Sequence, residues 1–349
     1  MQERRPALTE RFPRLAERVP WTAIGQWPTP VYEAKKFASR HGLKALYVKR
    51  EDLSHPVMAG NKVRGLEFLL GEARRRGART IVTFSAEGSH HICKTAWHAR
   101  QLGIDTVAVV VPQAEAPYVR ENVRVAESVG ARYVGANYAT VVPKVIAELL
   151  SRRNRREGRR PYYVPPGGTS PLACLGHVGA ALELKRQVEA GELPEPDYLY
   201  VALGSLGTAA GLAVGLKLAG LRTQLVGVVV SYRWYCTRGR WARMARRVNR
   251  LMRRMDESVP RVAIRAAELR TVGTALGAGY ARATPEATAL AAEFGDLEGI
   301  ALDQTYTAKA LHGAMQFIAR GGWEERVHLF WHTYQGWKAG GELRMANGE

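Results

Sequence analysis

Short, continuous β-branched runs recur between helical stretches along this 349-residue chain. The runs at 45–48, 80–84, 106–111, 198–203 and 225–230 do not alternate apolar with polar, and Gly, Pro or charge bounds each one. Strands buried on both faces of a parallel sheet read this way. Between them, 63–76, 91–102 and 117–129 carry helical spacing. The alternation of strand and helix predicts an α/β fold in which each domain is an open, mostly parallel sheet wrapped by helices. At about 100–200 residues per domain the length suggests two.

Composition narrows the function classes. Lys and Arg total 51 against 32 Asp and Glu, a net charge of +19. Such a field draws anionic ligands and, non-specifically, nucleic acid. The hydrophobic share of 46% is enough to build a core, so wholesale disorder is excluded. No stretch approaches the ~20 apolar residues of a membrane span, and the N-terminus lacks the apolar segment of a secretory signal. A soluble, cytoplasmic protein is expected. Cys93, Cys174 and Cys236 form no CxxC pair, which argues against a disulfide framework or structural zinc. The segment 232–255 carries nine arginines, with Trp241, Met244, Val248, Leu251 and Met255 at helical spacing. It reads as an amphipathic helix with a solvated basic side; an RNA or acidic-partner surface is the alternative.

Three segments carry chemistry. Lys62 follows Gly60 and Asn61 at the start of a helix, where free N–H groups favour an anion and depress a nearby amine. Ser85-Ala86-Glu87-Gly88-Ser89-His90-His91 is a small-residue turn between strand and helix, suited to a carboxylate or phosphate. His90 and His91 are neighbours without a completing carboxylate or Cys spacing, so no metal site is expected. Gly204-Ser205-Leu206-Gly207-Thr208 leads from a strand into a helix and can cradle a phosphate. It has neither the P-loop ending nor the dinucleotide fingerprint. A cofactor with one terminal phosphate fits it best.

Together these segments resemble the fold-type II (tryptophan synthase β-like) pyridoxal phosphate enzymes. The chain is similar within them to the 1-aminocyclopropane-1-carboxylate deaminase and D-cysteine desulfhydrase family. The resemblance runs from about Trp27 to His332 and includes Lys49-Arg50-Glu51-Asp52-Leu53, Gly60-Asn61-Lys62, Pro166-Gly167-Gly168, Gly279-Tyr280 and Leu302-Asp303-Gln304-Thr305-Tyr306-Thr307. It implies a small α/β domain over 58–165 and a large cofactor-binding domain over 1–57 and 166–349. Lys62 would form the internal aldimine with pyridoxal 5′-phosphate and act as base at Cα, beside Asn61. Gly204, Ser205, Leu206, Gly207 and Thr208 would hold the phosphate. Ser89 would receive the substrate carboxylate or relay a proton, His90 would lie near the cofactor O3′, and Tyr280 and Tyr306 would line the reactive face. Thr307 would meet the ring nitrogen, and His91, Thr333 and Tyr334 would contact the substrate. A homodimer acting on a small amino acid, without nucleic acid, is what the family suggests.

Family deaminases that open the cyclopropane ring carry Glu and Leu where this chain has Thr307 and Thr333; desulfhydrase-like members carry hydroxyl residues at both. A neutral hydroxyl does not stabilise a protonated pyridinium as a carboxylate does. The expectation is therefore β-elimination from a cysteine-like amino acid, with β-replacement or cyclopropane opening as alternatives. A non-catalytic protein binding nucleic acid through its basic surface is the alternative from another class. The chain departs from the family at His90, where Asn is usual, at Gly65, where a basic residue is common, and at Tyr334-Gln335, where a Gly pair is usual. Arg233, Trp234 and Tyr235 are also unusual, and suit an anionic or aromatic substrate.

Overall fold

The computed structural model describes residues 6–113 and 116–334; Gln335 and the rest of the C-terminal segment lie outside them. Helices α1 (Ala7–Arg11) and α2 (Pro13–Arg18) lead to β1 (Val31–Glu33), α3 (Lys35–Arg40) and β2 (Ala45–Arg50). There follow α4 (Lys62–Arg75), β3 (Thr80–Ala86), α5 (His90–Gln101), β4 (Asp105–Val111), α6 (Pro117–Ser128), β5 (Arg132–Gly135), α7 (Val141–Leu150) and β6 (Tyr162–Val164). The remainder comprises α8 (Leu175–Glu189), β7 (Tyr198–Leu203), α9 (Gly207–Ala219), β8 (Gln224–Val229), α10 (Arg238–Met255), β9 (Arg270–Val272), α11 (Pro285–Glu298), α12 (Thr307–Gly321) and β10 (Val327–His332).

These strands make two sheets. One has the order β5-β4-β3-β6 and is parallel throughout. The other has the order β1-β2-β10-β7-β8-β9 and is parallel except at its β1 edge. The α/β class and the five apolar strands are as the sequence predicts. β6 still pairs with β3, and the chain crosses from the first sheet to the second at Pro166–Gly168, just after the basic run 152–160. A run of charge marks a solvated loop, and here that loop lies within one sheet's connections.

Helix α10 shows the expected amphipathicity with a shifted stripe. Trp241, Ala242, Ala245, Val248 and Met252 are buried in the core, while Met244, Leu251 and Met255 pack at its margin. Gly65 also has a packing reason. A Cβ there would sit 3.2 Å from Ala173 Cβ and 3.3 Å from the Ala173 carbonyl oxygen, so α4 could not approach so closely with a side chain. All three cysteines are free and buried. Among the described residues no helix is long and apolar enough to cross a membrane.

A buried ionic network joins the loop before β1, β2, α4 and α8. Lys49 Nζ donates to Glu183 Oε1 at 2.6 Å and also to Gln187 and the Thr29 carbonyl. The Arg64 guanidinium forks onto Glu51 at 2.7 Å on both oxygens and reaches Glu183 at 3.0 and 3.1 Å. None of these four charged residues is more than 5% exposed. Burial raises the Glu183 pKa, but Arg64 and Lys49 outweigh it and hold the carboxyl at about 2. Glu67 of α4 collects the indole N–H groups of Trp21 and Trp27 and the amides of Ile24 and Gly25, which ties the N-terminal segment onto the same helix.

Removing one partner from such a network leaves uncompensated buried charge, worth about 3–5 kcal/mol. Glu183→Gln should therefore lower the urea midpoint by that amount of unfolding free energy without changing the slope m. A loss below ~1 kcal/mol would show that the four charges do not act together.

Candidate active site

Parallel sheets direct the carboxyl ends of their strands to one side, and crevices form there. Here the segments following β3, β7, β8 and β10 gather around a cavity of about 390 Å³. Among its walls are Asn61, Lys62, Ser89, His90, His91, the Gly204–Thr208 loop, Tyr280, Tyr306, Thr333 and Tyr334. Of the described residues expected from sequence to meet cofactor or substrate, Thr307 and Arg233 are absent from this lining.

Lys62 is the first residue of α4, and its amine donates to the Gly167 carbonyl at 2.9 Å. Gly167 has φ +65°, and a Cβ on it would fall 2.7 Å from Ser205 Cβ, so only glycine lets this turn reach both partners. Burial lowers the Lys62 pKa to about 8. Asn61 donates through its side chain to Thr208 Oγ1 at 2.8 Å and through its backbone to the Thr333 carbonyl at 3.1 Å. The loop ahead of α9 turns through Leu206 at φ +70°, a left-handed conformation rare for leucine and concentrated at ligand-binding turns. The first N–H groups of α9 have no helical acceptor before them and suit an anion. A Cβ on Gly207 would meet Thr169 Oγ1 at 2.9 Å, so this cradle is shaped by its glycines. These residues fit a phosphate-bearing aldehyde held by an amine.

Ser89 is the N-cap of α5. Its hydroxyl oxygen accepts from the His91 amide at 3.2 Å, which leaves the hydroxyl proton to donate. His90 stacks on Tyr118 at 5.0 Å and meets Asn122 Nδ2 through Nδ1 at 2.9 Å. Burial, then Lys94 and Lys62, lower its pKa to about 3. The ring is neutral, and with Nδ1 accepting from Asn122 its proton resides on Nε2. It is thus a hydrogen-bond donor, as the amide usual in the family would be. His91 differs from expectation. Its nitrogens meet Thr83 Oγ1 at 3.0 Å and Thr95 Oγ1 at 3.3 Å, so it offers the cavity a ring edge and no free polar atom.

The Tyr280 and Tyr306 hydroxyls share a 2.7 Å hydrogen bond. Burial raises the Tyr280 pKa to about 12 and that of Tyr306 further, so both are protonated near neutrality. Thr307 begins α12, and its hydroxyl donates to Asp303 Oδ1 at 2.7 Å while accepting from the Asp303 amide at 2.8 Å. A contact with a ring nitrogen has to compete with Asp303. Arg233 turns from the cavity and donates to the Gly273 carbonyl at 2.8 Å, whereas Trp234 and Tyr235 line it.

Sequence reasoning missed Lys94 and Asn122. Lys94 lies one helical turn beyond His90, lines the cavity, and donates to the Ala59 carbonyl. Burial lowers its pKa to about 8, with Lys62 acting in the same direction. The available signal was a lysine within the apolar run of α5.

Both lysines have folded pKa values near 8 against an ordinary 10.5. Between these limits the unfolded state binds more protons, so stability rises as pH increases from 8 towards 10.5. Lys94→Met should lose part of that rise, measured by urea denaturation of cofactor-free protein at pH 8 and pH 10. An unchanged rise would mean that Lys94 titrates normally.

Comparison with known proteins agrees with this arrangement. The family model of pyridoxal-phosphate dependent enzymes matches residues 22–333. A Pyrococcus abyssi protein with the provisional name 1-aminocyclopropane-1-carboxylate deaminase is 33% identical, over 94% of this chain and 93% of its own. The nocardicin C-9′ epimerase of Nocardia uniformis subsp. tsuyamanensis is 36% identical, over 88% and 90%. A crystal structure of an ACC deaminase homologue superposes with a TM-score of 0.78 at 30% identity, covering 95% of each chain. A fungal L-serine ammonia-lyase from Rhizomucor miehei, 16% identical, shares the fold with a TM-score of 0.61 over 89% of this chain and 94% of its own. The chain belongs to the pyridoxal-phosphate dependent enzymes of fold type II, among relatives of the 1-aminocyclopropane-1-carboxylate deaminase kind.

Proposed function

We propose that this enzyme catalyses β-elimination from a cysteine-like amino acid, giving an α-keto acid and ammonia. The observation that carries the reading is the half-buried Lys62 amine, its pKa lowered to about 8, in one cavity with the amino terminus of α9. Pyridoxal phosphate, when bound, supplies an electron sink for charge developing at the substrate's Cα. Lys62 is the residue that would hold it, with the Gly204–Thr208 amides on its phosphate and the His90 Nε2–H as donor to its O3′.

The rest follows from this chain's own groups. A lysine near 8 is unprotonated in useful proportion around neutrality, so Lys62 can take the Cα proton. The Ser89 hydroxyl and the first amides of α5 receive the substrate carboxylate. The Tyr280–Tyr306 pair stays protonated and can give a proton to the departing sulfur. The side chain at 307 is a neutral hydroxyl, which supports prompt loss of a β-leaving group over a long-lived carbanion.

A second reading, epimerisation at Cα, is favoured by the 36% identity to nocardicin C-9′ epimerase. It shares the first proton transfer and needs a proton returned on the opposite face, a role open to Ser89.

The test joins spectroscopy to product analysis. The wild type should show a visible band that borohydride bleaches, and Lys62→Ala should lack it. Incubation with D- and L-cysteine should release sulfide, keto acid and ammonia, with turnover about 10²–10⁴-fold lower in Lys62→Ala. Deuterium entry at Cα with inversion and without keto acid would replace elimination by epimerisation.

A further inference from the structure

Free cysteine is too small to explain the outer half of the cavity. From His90 an unbroken series of rings runs outward. His90 lies 6.4 Å from Tyr306, Tyr306 lies 6.1 Å from Tyr280, Tyr280 lies 5.9 Å from Tyr232, and Tyr232 lies 6.1 Å from Trp234. The inner members are half-buried, while Tyr232 is 46% and Trp234 67% exposed. After β5, Tyr138 is 73% exposed, lines the same cavity, and its hydroxyl is near enough to Tyr232 to raise that phenol's pKa. Arg240 stacks its guanidinium over both Trp234 and Tyr235, at 5.5 and 5.3 Å, and steadies them from behind.

Ring faces held open to water at a cavity mouth are unfavourable unless something flat and apolar covers them.

We propose that the cysteine-like substrate carries an aryl group on sulfur, and that the Tyr138, Tyr232 and Trp234 rings form the subsite for it. The proposal rests on the elimination reading and refines its leaving group. The balanced reaction takes R–S–CH2–CH(NH3⁺)–COO⁻ and water to R–SH, CH3–CO–COO⁻ and NH4⁺. Lys62 removes the Cα proton, the Cβ–S bond breaks with its electrons on sulfur, and sulfur leaves as a thiol after gaining a proton. Water then displaces the nitrogen as ammonia. No oxidant or reductant is required. An arenethiol is also a more acidic, better leaving group than hydrogen sulfide.

The experiment compares S-phenylcysteine with S-methylcysteine, as D- and L-forms, on holoenzyme. Binding is read from the shift of the cofactor's visible band, and turnover from thiol and pyruvate release. The expected result is at least tenfold tighter binding and tenfold higher kcat/KM for the phenyl compound. Trp234→Ala, and independently Tyr138→Ala, should each reduce that ratio about fivefold or more. Equal binding of the two compounds, or a ratio untouched by both variants, overturns the aryl subsite even if both release thiol. Tighter phenyl binding without thiol release from either compound keeps the ring subsite, overturns elimination, and with it the aryl thiol as leaving group.

Discussion

The ionic cluster of Lys49, Glu51, Arg64 and Glu183 is the constraint on which the rest of the architecture depends. Two cations and two carboxylates are removed from water together, so each is tolerable only while the others stay in place. The cluster fixes β2 against α4 and α8, elements that come from distant parts of the chain. Arg64 is two residues beyond Lys62 on the same helix, so the register that satisfies the guanidinium also sets the amine's position. Trp27, stacked 3.9 Å from that guanidinium, extends the constraint to the N-terminal segment.

Around the cavity, electrostatics and desolvation act in one direction. Lys94 is buried and Lys62 half-buried; Lys62 makes Lys94 harder to protonate, and both lysines do the same to His90. The cleft therefore holds amines at the edge of neutrality, a neutral imidazole and two protonated phenols. Such a set favours an incoming anion and can move protons without large charge changes. Asp303 is tied to Thr307 and to the amides of Thr305 and Tyr306, so its carboxylate organises the α12 terminus.

Much of this was legible in local patterns. The unalternating apolar runs at 80–84, 106–111 and 198–203 became buried parallel strands, because such runs have nowhere else to go in water. Gly-Asn-Lys at 60–62 and the Gly204–Thr208 loop were readable as helix-start features, and the cavity unites them. Other residues gave no such cue. Asn122 sets the tautomer of His90 from 32 residues away, and Tyr138, after β5, lines the same cavity as Tyr232. Thr307 reads from sequence as an available hydroxyl, but in the fold it donates to Asp303 Oδ1.

What the sequence by itself determined was the class of fold, the elements and the residue types available for amine and phosphate chemistry. These depend on periodicity, turn residues and helix termini, which are local. Only the tertiary structure decided which side chains share the cavity, which protons are free, and how far the amine pKa values fall. Those properties come from burial and from partners brought together by sheet order: β10, the last strand, inserts between β2 and β7 and thereby brings Thr333 to Asn61. No local pattern specifies that neighbour, because the contact spans most of the chain.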